Sequence, residues 1–192
     1  MRICLLPVFC SLALSAVPLA AQQPEMPKPG PEHQRLAKEV GIWDATIESM
    51  GMDGKPEKSR GENETRPMGG FWFVDSFSGS FAGAAFLGHG VIGYDPIKKK
   101  YVQSWCDSMS PVLMAFEGSF DKDGKVLTMT GSGPGTGGKM VPMRTVTTWK
   151  DENTKVFELF EAGPDGKEVR MLAITYTRRT GKAAENAGAN RK

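Results

Sequence analysis

Polar and apolar residues alternate with a period of two along most of this chain, and one short stretch keeps a different period. His33, Leu36, Ala37 and Val40 recur at helical spacing behind Pro31, which suits a first helical turn, and Gly41 ends the run. From Ile42 to Arg179 the two-residue period predicts strands over 42–50, 59–67, 71–81, 85–94, 100–108, 112–120, 126–131, 139–150, 155–162 and 168–178. Between them lies turn chemistry: Asp53-Gly54, Gly69-Gly70, Asp95-Pro96, Asp123-Gly124, residues 151–154, and Pro164-Asp165-Gly166. The glycine-rich stretch 131–138 reads as a loop. Strands this regular, with no second helix, predict an all-β fold. The expected form is an antiparallel up-and-down β-barrel of about ten strands behind a short N-terminal helix, because closure removes the sheet edges.

The two ends of the chain have other compositions. Arg2, the apolar stretch 3–19 broken by Pro7 and Pro18, and then Ala20-Ala21 before Gln22-Gln23 have the layout of a secretory signal peptide. Residues 1–21 are therefore expected to be removed, and the protein to be periplasmic or secreted. Residues 22–30, with Pro24, Pro27 and Pro29, read as an extended linker, 31–179 as the barrel domain, and 180–192 as a disordered tail. Processing would leave Cys106 as the sole cysteine, so no intramolecular disulfide can form and the fold must rest on its core. The formal net charge is only +2 and the basic residues are scattered, apart from Lys98-Lys99-Lys100 in a turn. That pattern speaks against a nucleic-acid partner. The prolines and small extent of the N-terminal apolar run speak against a stable membrane span.

Several runs carry a family resemblance. They are Pro29-Gly30-Pro31-Glu32-His33, Leu36-Ala37, Gly41-Ile42-Trp43, Gly93-Tyr94-Asp95, and Lys98-Lys99-Lys100-Tyr101. The others are Trp105-Cys106-Asp107, Leu127-Thr128-Met129-Thr130-Gly131, Gly163-Pro164-Asp165-Gly166-Lys167-Glu168, and Ile174-Thr175-Tyr176-Thr177-Arg178. Together they resemble the bacterial domain-of-unknown-function 1579 family from about Pro27 to Arg179. The resemblance implies a lipocalin-like (calycin) barrel, in which a Gly-x-Trp opens the first strand and an arginine of the last strand crosses the indole. Trp43 and Arg178 (or Arg179) hold those positions, as a structural pair. No activity is implied.

Inside such a barrel every second residue of each strand faces the lumen. Trp105, Asp107, Arg144, Glu158 and Tyr176 are the candidate lumen residues. Trp105 and Asp107 share a face, Arg144 shares one with Val146, and Glu158 shares one with Val156 and Phe160. If these faces point inward, Arg144 can pair with Glu158 or Asp107, or offer a planar fork to a ligand carboxylate. With the opposite parity Thr145, Thr147 and Trp149 face in and the charges lie in water; alternation alone leaves both open. The methionines, among them Met114, Met129 and Met143, suit an adaptable apolar cavity or an ordinary core equally.

Other chemistry is thin. His33 belongs to the helix stripe, and His89, in Gly88-His89-Gly90, has no second ligand at metal spacing, so neither a metal nor a cofactor is expected. Cys106 reads as a small buried hydrophobe and not a nucleophile. No catalytic residue is assigned. The sequence points to a non-catalytic exported barrel holding a small apolar or amphipathic molecule. Two alternatives stand beside it: an isomerase or hydrolase using Asp107 or Glu158 as base, and an interaction module with a filled core. Oligomeric state is not legible.

Overall fold

The computed structural model of the chain describes residues 26–50, 55–81, 83–135, 138–163 and 166–180. The expected signal peptide and nearly all of the expected C-terminal tail lie outside the described residues. A short helix, α1 (Pro31–Leu36), runs into a 3₁₀ turn (Ala37–Glu39) and then ten strands. These are β1 (Gly41–Met50), β2 (Pro56–Met68), β3 (Trp72–Phe81), β4 (Ala84–Asp95), β5 (Lys100–Asp107), β6 (Ser110–Phe120), β7 (Val126–Pro134), β8 (Met140–Trp149), β9 (Thr154–Ala162) and β10 (Glu168–Arg178). Each strand pairs antiparallel with its sequence neighbours, and β1 also pairs with β10, closing the barrel. The first part of the stretch expected as a loop is strand: β7 continues to Pro134, where Gly131, Gly133 and Pro134 pair with Met143, Val141 and Met140.

The helix differs from its expected stripe in one consequential way. His33 and Leu36 are buried as expected, but Ala37 is exposed and Glu39 is buried. The cause is the tightening after Leu36: three residues per turn put 33, 36 and 39 on one face, where 3.6 would favour 37 and 40. A carboxylate is thereby carried into the barrel. His33 Nδ1 accepts a hydrogen bond from the Gly30 N–H at 3.1 Å, and its ring meets Phe71 and Tyr94 edge-on. Leu36 plugs the barrel end against a cluster that includes Phe73, Tyr101, Leu127, Met129 and Trp149.

Gly41 makes the corner from turn to strand. Its φ of +135° is strained for any residue with a Cβ, and a Cβ there would lie 2.7 Å from Arg178 Nη1. The guanidinium fills that space. It donates to the carbonyls of Lys38, Val40 and Glu152, and sits 4.0 Å from the centre of the Trp43 ring. Arg179, the other candidate for this place, turns outward to Asp44 and Glu62.

Candidate functional site

Register fixes which residues face inward. Trp43, Ala45 and Ile47 are buried on β1, and their partners across β10 are Arg178, Tyr176 and Ile174. Carried around the wall, the same parity turns Lys155, Phe157 and Leu159 of β9 inward, with Thr145, Thr147 and Trp149 of β8. It also turns in Gln103 and Trp105 of β5, Phe73, Asp75 and Phe77 of β3, and Asn63 and Thr65 of β2.

Two of the candidate lumen residues are therefore misplaced by the sequence reading. Arg144 and Glu158 lie on the outer face. Arg144 pairs there with Glu168 and covers the Phe160 ring at 4.2 Å, while Glu158 pairs with Arg170 at 2.9 Å. The outward Phe160 accounts for the error: its apolar face is covered by a guanidinium from the next strand, so β9 has large aromatics on both sides. Trp105, Asp107 and Tyr176 do stand on the inward parity. Cys106, expected to be buried, is exposed on the opposite side of β5 from Trp105. His89 is also outside, 3.2 Å from Ser76 Oγ. Among the described residues no group of three or more His, Cys, Asp or Glu is arranged to hold a metal.

The interior has two halves. At the helix end it is solid. The Lys155 ammonium is bonded to the Glu39 carboxylate, with both residues buried, and lies 4.6 Å from the centre of the Trp43 ring and 5.0 Å from that of Tyr176. The Trp43 Nε1–H donates to the Glu39 carbonyl at 2.8 Å. Lys38 covers Trp149 from the other side at 3.7 Å, and burial in this apolar setting lowers its pKa.

From mid-height to the opposite end Ala45, Ile47, Phe77 and Ile174 form a second buried cluster, around which other inward side chains keep partial exposure. Asp75, Phe86, Gln103, Trp105, Met114, Phe157, Leu159 and Tyr176 all do so. Phe86, Trp105, Phe157, Leu172 and Tyr176 pack against that cluster. Glycines shape one side of it: a Cβ at Gly61 would fall 2.6 Å from the Phe77 ring, and one at Gly88 would fall 2.3 Å from the Trp105 ring. The two aromatic rings lie flat on bare backbone.

Polar groups on this inward face are few. Asp75 Oδ1 accepts from Thr65 Oγ1 at 2.5 Å and from Asn63 Nδ2 at 3.1 Å. The Trp105 Nε1–H donates to Asp107 Oδ2 at 3.1 Å, and Asp107 Oδ1 accepts from the Met109 N–H. Burial pushes the Tyr176 phenol well above its ordinary pKa, with further upward contributions from Asp75 and Glu39. Sequence reasoning missed Asn63, Thr65 and Asp75, yet their signal is present. In Glu62-Asn63-Glu64-Thr65-Arg66 every charged residue lies on one parity, and Asp75 shares the parity of Phe73 and Phe77. Lys155 was missed because its partner Glu39 reaches it only through the 3₁₀ turn.

A groove of about 420 Å³ also opens on the outer wall, lined by Trp72, Val91, Val102 and Ala115 together with Lys98 and Glu117. Among the described residues no helix is long and apolar enough to cross a membrane.

A closed ten-strand antiparallel wall, a helical plug at one end and an arginine across the first-strand tryptophan define a lipocalin-like barrel. The chain belongs to the DUF1579 family, described as a protein of unknown function, whose model matches residues 28–178. No curated protein matches the sequence. Among solved structures, Rv2717c from M. tuberculosis is similar at 13% identity and a TM-score of 0.61, over 80% of this chain and 100% of that one. The S-type phycobiliprotein lyase CPES from Guillardia theta is similar at 13% identity and a TM-score of 0.51, again over 80% and 100% of the two chains. At such identities the likeness is one of fold.

Proposed function

We propose that the protein is a non-catalytic carrier, exported to the periplasm or beyond, that holds a small amphipathic molecule in its barrel. One observation carries this reading: the partial exposure of inward aromatic and aliphatic side chains in the half of the lumen away from the helix plug. An apolar wall with a few convergent polar groups is the usual composition of a small-molecule site. Trp105, Asp107 and Tyr176 stay in the proposed site and Asp75 joins them; Arg144 and Glu158 leave it. Export is supported by the N-terminal sequence pattern alone.

The test is uptake. Native mass spectrometry of the purified protein is expected to show a co-purified mass, and an apolar fluorophore is expected to bind and to quench tryptophan emission, less so in Trp105→Phe. Folded protein that takes up no probe would overturn the reading. Export is checked separately, by N-terminal sequencing of protein recovered from the cell envelope, with cleavage expected after Ala20 or Ala21.

A further inference from the structure

The charges facing into the barrel have an uneven sign. Among the described strand residues two cations stand on the inward parity, Lys155 and Arg178, and both are engaged at the plugged end. Lys155 is bonded to Glu39, and Arg178 to three backbone carbonyls. The acids are placed differently. Asp75 stands at mid-height, and Glu57, Asp107 and Glu161 share the inward parity toward the open end.

Asp75 is the informative one. Its hydrogen bonds come from two neutral donors, Asn63 and Thr65, both on Oδ1. Among the described residues no lysine, arginine or histidine pairs with it, and Oδ2 has no donor. The Tyr176 hydroxyl, whose ionisation Asp75 and Glu39 both oppose, also has no hydrogen-bond partner among the described residues. A carboxylate inside a low-dielectric barrel is costly without a counter-charge. A ligand carboxylate entering here would meet an acid and find no free cation. An ammonium would meet an open acceptor, and the faces of Trp105 and Phe77 favour a nearby cation too.

Granted the lumen as a ligand chamber, on which this inference rests, we propose that the ligand is an amphipathic organic cation with a protonated amine. Its head donates to Asp75 Oδ2 and the Tyr176 oxygen. Its apolar tail runs along Phe86, Phe157 and Leu159 toward the open end.

Two probes with the same tail test it: dodecylammonium and dodecanoate, each added to the purified full chain below its micelle concentration and followed by titration calorimetry. The ammonium is expected to bind at least about tenfold more tightly than the carboxylate. In Asp75→Asn, which keeps an acceptor for Asn63 and Thr65, the preference should shrink to within about twofold. Tyr176→Phe should weaken the ammonium several-fold and leave the carboxylate unchanged, a second readout should Asp75→Asn fail to fold. Equal affinity for the two probes, or preference for dodecanoate, overturns the charge selection while leaving the carrier reading standing. If neither probe nor an apolar fluorophore binds, the carrier reading itself fails.

Discussion

Arg178 stands directly across the β1–β10 ladder from Trp43, and its guanidinium lies 4.0 Å from the centre of the indole ring. The contact joins the first strand to the last. The same guanidinium bonds the carbonyls that leave the 3₁₀ turn, so one side chain holds helix plug, barrel seam and floor together. Arg178→Ala strands those carbonyls and removes the cation from the ring, and is expected to cost about 2–3 kcal/mol in urea unfolding. Arg178→Lys should recover less than half of that, because one ammonium cannot reproduce a planar fork. Arg179→Ala, which loses only part-exposed pairs, should cost under about 1 kcal/mol.

The Glu39–Lys155 pair lends itself to a double-mutant cycle. Either Glu39→Leu or Lys155→Met alone leaves a buried charge without its partner, at a cost of about 3–5 kcal/mol. The double variant should lie much closer to wild type than the sum, with a coupling of at least about 2 kcal/mol. Additive losses would show that the pair does not act as a unit.

Alkaline titration gives a third expectation. Burial raises the pKa of both Tyr101 and Tyr176 above the ordinary value of 10.0. The folded chain then holds protons that the unfolded chain releases above that pH, so stability falls as pH rises through 10 toward the folded values. The slope is at most about 1.4 kcal/mol per pH unit for each group. Phenolate absorbance should therefore appear late, together with unfolding, and Tyr101→Phe or Tyr176→Phe should each remove part of the late signal.

Outer charges should matter little to probe uptake. Arg144→Ala and Glu158→Gln are each expected to leave probe affinity within about twofold and to cost under about 1 kcal/mol of stability. A large loss of binding in Arg144→Ala would return that residue to the ligand site.

The architecture was legible because it rests on local signals: a two-residue period, turn residues between strands, and a glycine before Trp43. Parity on β8 and β9 was not. Both faces of β8 mix threonine with larger groups, and on β9 Lys155 faces in while Phe160 faces out beneath Arg144. A strand reports its own alternation, but the choice of face belongs to the closed sheet. Glu39 escaped notice for a geometric reason, since a change from 3.6 to 3.0 residues per turn over one short segment cannot be read from apolar spacing. Asp75, Asn63 and Thr65 could have been found by asking which parity of β2 and β3 carries the charges.

The glycine-backed rings have a practical corollary. Where Phe77 and Trp105 rest on Gly61, Gly79, Gly88 and Gly90, the wall beneath has no side chains to rearrange. On the proposed carrier reading, ring size at these two positions sets how large a guest fits, with the hydrogen-bonded frame left as it is. Trp105→Ala should admit bulkier tails than the wild type accepts, which makes this wall the natural place to redesign the barrel's capacity.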